Sequence, residues 1–486
     1  MIPLSLDEMA RITGARLDHV ADPRAEVSGP VVIDSRRAAP GGLFVAVAGE
    51  HVDGHDFAGA AQAAGAAATL ATRPTGTPAL IVDDVPAALA RLAQAVAGRL
   101  PRVTIAGITG SSGKTSTKDL TAQLVERLGP TVAPEGSYNN EFGFPLTVLR
   151  ADASTRYMVL EMAARGAGHI ASLCEMAPPR IGAVLNVGHA HTGEFGGIEQ
   201  VARAKGELPE ALPAGGVAVL NAGDHRVAAM AGRTAARVVW FGLAGDRPGG
   251  VPPGVPAEPD VRATDVRLDD LGRPAFTLIT AAGSAPVRMA LHGAHHVPNA
   301  LAAAAIAGEL GLALPDIADG LSAATARSRW RMEVARSSGG VTVINDAYNA
   351  NPESVRAALD ALRHMARGRR SFAVLGHMAE LGEESQASHE EAGALAAGTG
   401  VTGLIVVGEE AEPMLAGARA SRGWHGEAIA VPDGPGAIAA LRGRLGHGDV
   451  VLVKASRAAA LEGVAAGLLA DGGAVSDSEP LKEAAP

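Results

Sequence analysis

Between a short apolar run and a helical pattern the chain carries Gly107-Ile-Thr-Gly-Ser-Ser-Gly-Lys-Thr115. These residue types in this order suit phosphate. Glycines let backbone N–H groups curl around phosphate oxygens, and the start of a helix adds positive potential. Lys114 neutralises charge on the β- and γ-phosphates, and the Thr115 hydroxyl reaches Mg²⁺. The cradle comprises Thr109, Gly110, Ser111, Ser112, Gly113, Lys114, Thr115 and Ser116. The strict phosphate-loop pattern has a glycine where this chain has Ile108, so the match is to a variant, and a plain glycine-rich strand-to-helix turn is the competing reading. Glu161 ends the run YMVLE and His191 follows IGAVLNV, which puts both at the carboxyl edge of the same parallel sheet, where ligands collect. A carboxylate suits Mg²⁺. An imidazole is an unusual ligand for so hard a cation, so His191 alone reads as a loop or capping histidine, with His189 close enough to compete.

Positioning these groups takes a strand, a turn and a helix in the right order, and the sequence supplies that pattern three times. Residues 1–98 show strand-like runs at 30–33, 43–47 and 79–82 between Ala-rich helical stretches at 57–68 and 87–100, as in a small α/β domain. Residues 99–328 alternate the phosphate-loop strand, a helix over 114–128, strands at 157–160, 181–187, 217–220 and 238–241, a Pro/Gly-rich loop at 242–260, strands at 276–280 and 287–291, and a helix over 297–310. Such alternation predicts a parallel sheet covered on both faces. Residues 329–470 begin a third set, with strands at 341–344, 372–375, 404–407 and 450–453, expected as a Rossmann-like α/β domain, and 471–486 read as a disordered tail.

Composition agrees with that plan and narrows the function. At 486 residues about three domains are expected. The net charge of −10 and the absence of a Lys/Arg cluster argue against nucleic acid or an anionic membrane as partner, and aromatics at 3% leave no base-stacking platform. Cys174 is the only cysteine, so it reads as a small buried hydrophobe in a reducing compartment. Asp7 and Glu8 stand where a signal peptide needs a basic start, and no run approaches 18 apolar residues. The expectation is a cytoplasmic, untargeted monomer without membrane insertion.

The blocks ITGSSGKTSTK, LEMAARGAGHI, NVGHAHTGEFG, ARAKGEL and LNAGD together resemble the Mur ligase family of ATP-dependent amide-bond-forming enzymes, in which Thr-Gly precedes the phosphate loop; that accounts for Ile108. GSYNNEFGFPLTVL at 136–149, NDAYNANPESVRAAL at 345–359, AVLGHMAELGEES at 373–385 and VLVKASR at 451–457 resemble the branch that adds D-alanyl-D-alanine. DSRRAAPGGLFVAVAGEHVDGHDFAG is similar to the family's uridine-nucleotide-binding domain, so the likeness covers nearly the whole chain.

The resemblance implies a reaction in which UDP-N-acetylmuramoyl-tripeptide, D-alanyl-D-alanine and ATP give the pentapeptide product, ADP and phosphate through an acyl phosphate. It implies ATP and two Mg²⁺ ions, with Mn²⁺ able to substitute. Thr115 and Glu161 would hold the ATP-side ion, and His191 the second. Lys205 matches the lysine that the family carbamylates with CO₂; read alone, it is a helix lysine paired to Glu207 or to solvent. Asn299 matches a nucleotide-binding Asn, with His296 where Asn is common, and Arg331 and Asp346 match positions that close over ATP. On the dipeptide side stand Tyr348, Asn349, Asn351 and Pro352, with Lys454, Ser456 and Arg457 as candidates for gripping its carboxylate; the plain reading of Asn-Ala-Asn-Pro is a helix cap. Ser35, Arg36, Asp53 and His55, with Asn139, Asn140 and Glu141, are the UDP-sugar candidates, against a reading as Asx turns and surface polarity. Two alternatives stand beside this function: another amino-acid-adding ligase of the superfamily, such as a different muramyl ligase or a folylpolyglutamate synthetase, and a nucleotide-switched regulatory protein.

Overall fold

Short apolar runs without polar alternation must be covered on both faces, and here they are. A computed structural model describes residues 1–49, 52–164, 166–189, 195–245, 257–470 and 474–475, which form three α/β units. The first holds a five-stranded sheet in the order Arg16–Asp18, Ala79–Ile81, Ala68–Ala71, Leu43–Val45, Val31–Val32, parallel except for the first pair. The helix expected over 57–68 is shorter, Ala58–Ala63, and residues 68–71 are instead a fully buried strand. Gly65 ends the helix: its φ of +104° is left-handed, and a Cβ there would strike Pro40 at 2.9 Å. A strand written Ala-Thr-Leu-Ala looks helical by composition, and burial between neighbours overrides that preference.

The central sheet has nine strands in the order Gly283–Arg288, Pro274–Thr280, Val261–Leu268, Arg237–Leu243, Val217–Asn221, Ile181–Val184, Thr104–Thr109, Tyr157–Glu161, Thr131–Val132. All are parallel up to Val261–Leu268, after which Pro274–Thr280 and Gly283–Arg288 run antiparallel. Val261–Leu268 was not expected as a strand, because its sequence VRATDVRL is polar on its open face and it shifts register between Thr264 and Arg267, with Asp265 at φ 55°. Part of the loop expected at 242–260 lies outside the described residues. The helix His296–Glu309 buries eleven of its fourteen residues, as a helix apolar on all sides must, and it packs on Lys114–Val125.

The third sheet has the order Glu427–Val431, Gly403–Val407, Ser371–Gly376, Val450–Lys454, Thr342–Asn345, Glu333–Ser337, Ala474–Val475. Its first five strands are parallel. Glu333–Ser337 and Glu427–Val431, half-exposed and charged, were not expected. Within 471–486, expected as a disordered tail, Ala474–Val475 pair antiparallel with Arg336 and Ser337; the rest lies outside the described residues. Cys174 is buried against Met162, as a lone hydrophobic cysteine should be, and burial pushes its thiol up to about 12. No helix among the described residues is long and apolar enough to cross a membrane.

Candidate active site at the carboxyl edges of two sheets

The order of the central strands reverses at Thr104–Thr109, which has a later strand on each side, and ligands of open α/β sheets bind outside the carboxyl ends at such a point. The glycine-rich turn sits there. Gly113 precedes the helix Lys114–Val125 at φ +81° and offers no side-chain cap, so the first-turn N–H groups are left for an external acceptor. A side chain at Gly113 would collide with Asn299 Oδ1, 2.4 Å from its Cβ position, so the close approach of the two helices also demands glycine. Asn186 braces the loop: Ser112 N–H donates to its Oδ1 at 2.9 Å and its Nδ2 donates to Ser112 O at 3.2 Å. Ser111 is tied to Gly188, whose N–H donates to its hydroxyl at 2.8 Å.

Lys114 is half-buried, and its ammonium donates to Gly110 O at 2.7 Å; desolvation pulls its pKa below the lysine range, opposed by the charge of Glu161. A phosphate beside it would favour its charged form. Thr115 Oγ1 donates to Glu161 Oε2 at 2.9 Å, Asn139 Nδ2 donates to Glu161 Oε1 at 2.6 Å, and Glu161 is 1% exposed. This hydroxyl and carboxylate are the hard oxygen donors that Mg²⁺ takes, and the uncapped helix start with Lys114 in its first turn suits phosphates, so the residues fit the Mg-nucleotide. His191 lies outside the described residues, and among those described no cluster of three His, Cys, Asp or Glu could hold a metal alone.

The third unit forms the opposite wall. Arg331, between Trp330 and Met332 in left-handed conformations, lies 4.1 Å over the Tyr348 ring and donates to Thr115 Oγ1 at 3.1 Å, while its Nε is buried without a partner. Tyr348 hydrogen-bonds Ser137 of the central unit. Asp346 accepts from Lys454 Nζ at 2.5 Å and from Met332 N–H at 3.1 Å; Lys454 donates also to Asn349 O at 2.8 Å. Lys454, expected as a carboxylate grip, lines the cavity at 2% exposure with its ammonium braced on Asp346 and Asn349. Ser456 and Arg457, expected beside it, do not line the cavity: Arg457 lies over Trp330 and pairs with Glu462 at 2.5 Å, and Ser456 Oγ accepts from Ala379 N–H at 2.8 Å. Asn351 caps the helix Pro352–Ala366 in a reciprocal box with Ser354, so the plain reading holds, and it lines the cavity as well.

Between these walls lies a cavity of about 760 Å³ that reaches all three units, from Pro86 of the first through the phosphate loop, Asn139, Asn140 and Glu141 to Asn349 and Asn351. His295 and His296 line it, each with a buried, unpartnered Nδ1, and burial lowers the pKa of both. Ser35, Arg36, Asp53 and His55 lie outside it. They form two Asx turns around the helix Ala58–Ala63: Arg36 pairs with Asp34, and Asp53 with Arg73 and with His55, which in turn receives Thr72 N–H. Lys205 is 2% exposed, and its amine has no hydrogen-bond or ion-pair partner among the described residues. The expected pairing with Glu207 does not occur, because Glu207 accepts from Gly168 and Ala171 N–H and caps the helix His169–Met176. Burial, and then the charge of Lys114, hold Lys205 well below the lysine range. Sequence reasoning missed Asn186, which pairs across 74 residues, and Glu353, which receives His189 N–H and Nδ1 at 2.9 Å; neither spacing carries a local signal.

Comparison with known proteins agrees with this arrangement. Residues 30–97 match the Mur ligase family catalytic domain, 108–307 the Mur ligase middle domain and 330–457 the Mur ligase glutamate ligase domain. The chain is 49% identical to the UDP-N-acetylmuramoyl-tripeptide--D-alanyl-D-alanine ligase of Mycobacterium tuberculosis (97% of this chain, 98% of the relative). It is 35% identical to the protein of that name from Escherichia coli (97% and 100%). Among solved structures it superposes on MurF from Acinetobacter baumannii with a TM-score of 0.82 at 29% identity (96% and 99% covered), and on MurF ligase from Thermotoga maritima in complex with ADP with a TM-score of 0.74 at 28% identity (92% and 98%). Matched over three consecutive domains and nearly its full length, the chain belongs to the Mur ligase family.

Proposed function

We infer that this chain is an ATP-dependent amide-bond-forming ligase that adds D-alanyl-D-alanine to UDP-N-acetylmuramoyl-tripeptide, giving the pentapeptide precursor of peptidoglycan, ADP and phosphate. One observation carries the reading: a single cavity has the phosphate loop on one wall and the Tyr348-Asn-Ala-Asn351 block on the other, in a chain whose relatives at 35–49% identity bear that ligase's name.

A carboxylate and an amine do not condense usefully in water, so the carboxylate must be activated. The ATP phosphates meet the uncapped N–H groups after Gly113, and Lys114 balances their charge. Thr115 and Glu161 would hold Mg²⁺, which would supply further positive charge against the phosphates. Arg331 and Asp346 close over the nucleotide, with Asn299 and His296 on its base side. The tripeptide carboxylate attacks the γ-phosphorus and the β–γ bridge breaks, releasing ADP. The dipeptide amine then forms the C–N bond and phosphate leaves. Walls from three units exclude water from the acyl phosphate. Asn139 and Asn140 meet the peptide end of the UDP-sugar, and Ser35, Arg36, Asp53 and His55 its uridine end; Tyr348, Asn349 and Asn351 face the dipeptide. Lys205 is buried, which lowers its pKa and favours the neutral amine that reacts with CO₂; as a carbamate it would serve, with His191, the second metal.

Phosphate release is measured with UDP-N-acetylmuramoyl-tripeptide and ATP, with and without D-alanyl-D-alanine, and the product is weighed. Release dependent on both substrates with the pentapeptide mass is expected; release indifferent to them overturns the reading. For Lys205→Ala, short carboxylic acids restore turnover and alkylamines do not; the reverse removes the carbamate.

A further inference from the structure

Glu353, in the first turn of the helix Pro352–Ala366, reaches out of the third unit onto the central one. The positive end of a helix favours an acidic residue there wherever its side chain points, so the residue type needs no further cause. Its placement does. Oε1 receives both the N–H and the Nδ1 of His189 at 2.9 Å, and Oε2 is buried with no hydrogen-bond partner. The carboxylate lies so close to Gly188 that a Cβ there would stand 2.6 Å from Glu353 Cδ and Oε1. The segment 186–189 is in turn the floor under the phosphate loop. Ser111 N–H donates to Asn186 O at 3.1 Å and Ser112 N–H to Asn186 Oδ1 at 2.9 Å, while Gly188 N–H donates to Ser111 Oγ at 2.8 Å and receives that hydroxyl at its carbonyl at 3.1 Å. Successive N–H groups of this floor therefore go to three places: Val187 to Asp224 of the central unit at 2.8 Å, Gly188 to the phosphate loop, and His189 to Glu353. The third tie exists only while the third unit is docked.

We propose that Glu353 is a positioning residue: docking of the third unit seats its carboxylate on Gly188 and His189, and this fixes the Ser111 end of the phosphate loop for transfer of the γ-phosphoryl group. Phosphoryl transfer leaves a protein little covalent chemistry to do, so the rate follows how closely donor and acceptor are held, and a displacement of about 1 Å can cost on the order of 10²-fold. Glu353 stands two residues after Asn351, on the same helix that Asn351 caps. The contact thus ties activation of the tripeptide carboxylate to the presence of the wall that faces the dipeptide. The proposal rests on the ligase reading above.

Hydroxylamine traps an acyl phosphate as a hydroxamate and so reads the first step without the dipeptide. In Glu353→Ala, hydroxamate formation from UDP-N-acetylmuramoyl-tripeptide and ATP should slow roughly 10- to 100-fold, while the KM for D-alanyl-D-alanine changes by less than about threefold. Glu353→Gln keeps an acceptor for His189 N–H and should recover the rate to within about threefold of the wild type. Gly188 is not left-handed, so alanine fits its backbone, and its methyl group would push the flexible carboxylate off His189. Gly188→Ala should therefore slow the step as Glu353→Ala does, and the two together should be less than about threefold slower than the slower single variant. A hydroxamate rate unchanged in Glu353→Ala overturns the assignment, as do losses that multiply in the double variant. A loss confined to the dipeptide KM and equally large in Glu353→Gln also overturns it, marking an ammonium contact instead. Wild-type protein that forms no hydroxamate and releases no phosphate would overturn the ligase reading itself.

Discussion

The first and central units meet through apolar side chains, whereas the third meets the central unit through polar ones. Helix Val85–Gly98 packs on Gly143–Val148 and His169–Met176, and Leu89, Leu92, Phe144 and Leu173 belong to one continuous core. Across the other seam run Arg331 to Thr115, Tyr348 to Ser137, Glu353 to His189, Arg367 to Asp270 and His364 to Asp269 O, and no apolar cluster of buried residues spans it among those described. Burying apolar area against water has no substitute once the surfaces part, but polar groups can exchange a protein partner for water or ligand at little net change. The first seam therefore makes two units into one body, and the second leaves the third unit able to close when nucleotide and peptide replace its bonds.

The largest effect should come from the apolar seam. Phe144→Ala is expected to lose about 3–5 kcal/mol in chemical denaturation, with the first and central units unfolding in one transition. Two separated transitions in the wild type would break the comparison.

Acid should act at the polar seam. His295 and His296 are held below the ordinary histidine value of 6.5 by burial; His295 also faces Asp346, which opposes this, and Lys454, while His296 faces His295 and His292. The closed, folded state thus refuses protons that the open or unfolded chain accepts, so stability is full above pH 6.5 and falls as pH drops below it. Melting temperature and small-angle scattering at pH 7.5 and 5.5 check this; a protein more stable or more compact at the lower pH would contradict it.

Tyr348→Phe removes one bond across the polar seam. The expected loss is about 1 kcal/mol or less of stability, with weaker compaction on adding ATP and tripeptide. In the wild type each substrate should make the particle more compact. An identical radius of gyration without ligand, with ATP and with both substrates would remove the moving unit. The smallest effect is expected at Arg327–Glu126, an exposed pair where Arg327→Ala should change the melting free energy by about 0–1 kcal/mol and leave scattering unaltered.

Much of this was legible because it is local. Gly-Ser-Ser-Gly-Lys-Thr requires no partner to be read as a phosphate cradle, and the runs at 157–160 or 404–407 could be little else than buried strands. The Ala-rich strand at 68–71 and the polar strand at 261–268 were missed because their composition does not decide their state; neighbours on the sheet do.

The sequence by itself determined the type of chemistry: residue identity and short spacing fix which atoms can hold phosphate, and nearest-neighbour sterics fix the turn that aims them. Only the tertiary structure decided which charges are spent inside the protein and which face a ligand. Lys454 and Arg457 look alike as exposed cations in VLVKASR, yet one is a buried strut on Asp346 and the other lies over Trp330. Lys205 looked like a partner for Glu207 and is instead a buried amine with no hydrogen-bond or ion-pair partner among the described residues. Burial and pairing depend on groups brought together from far along the chain, and in low-dielectric surroundings those distant neighbours set the charge that a side chain carries.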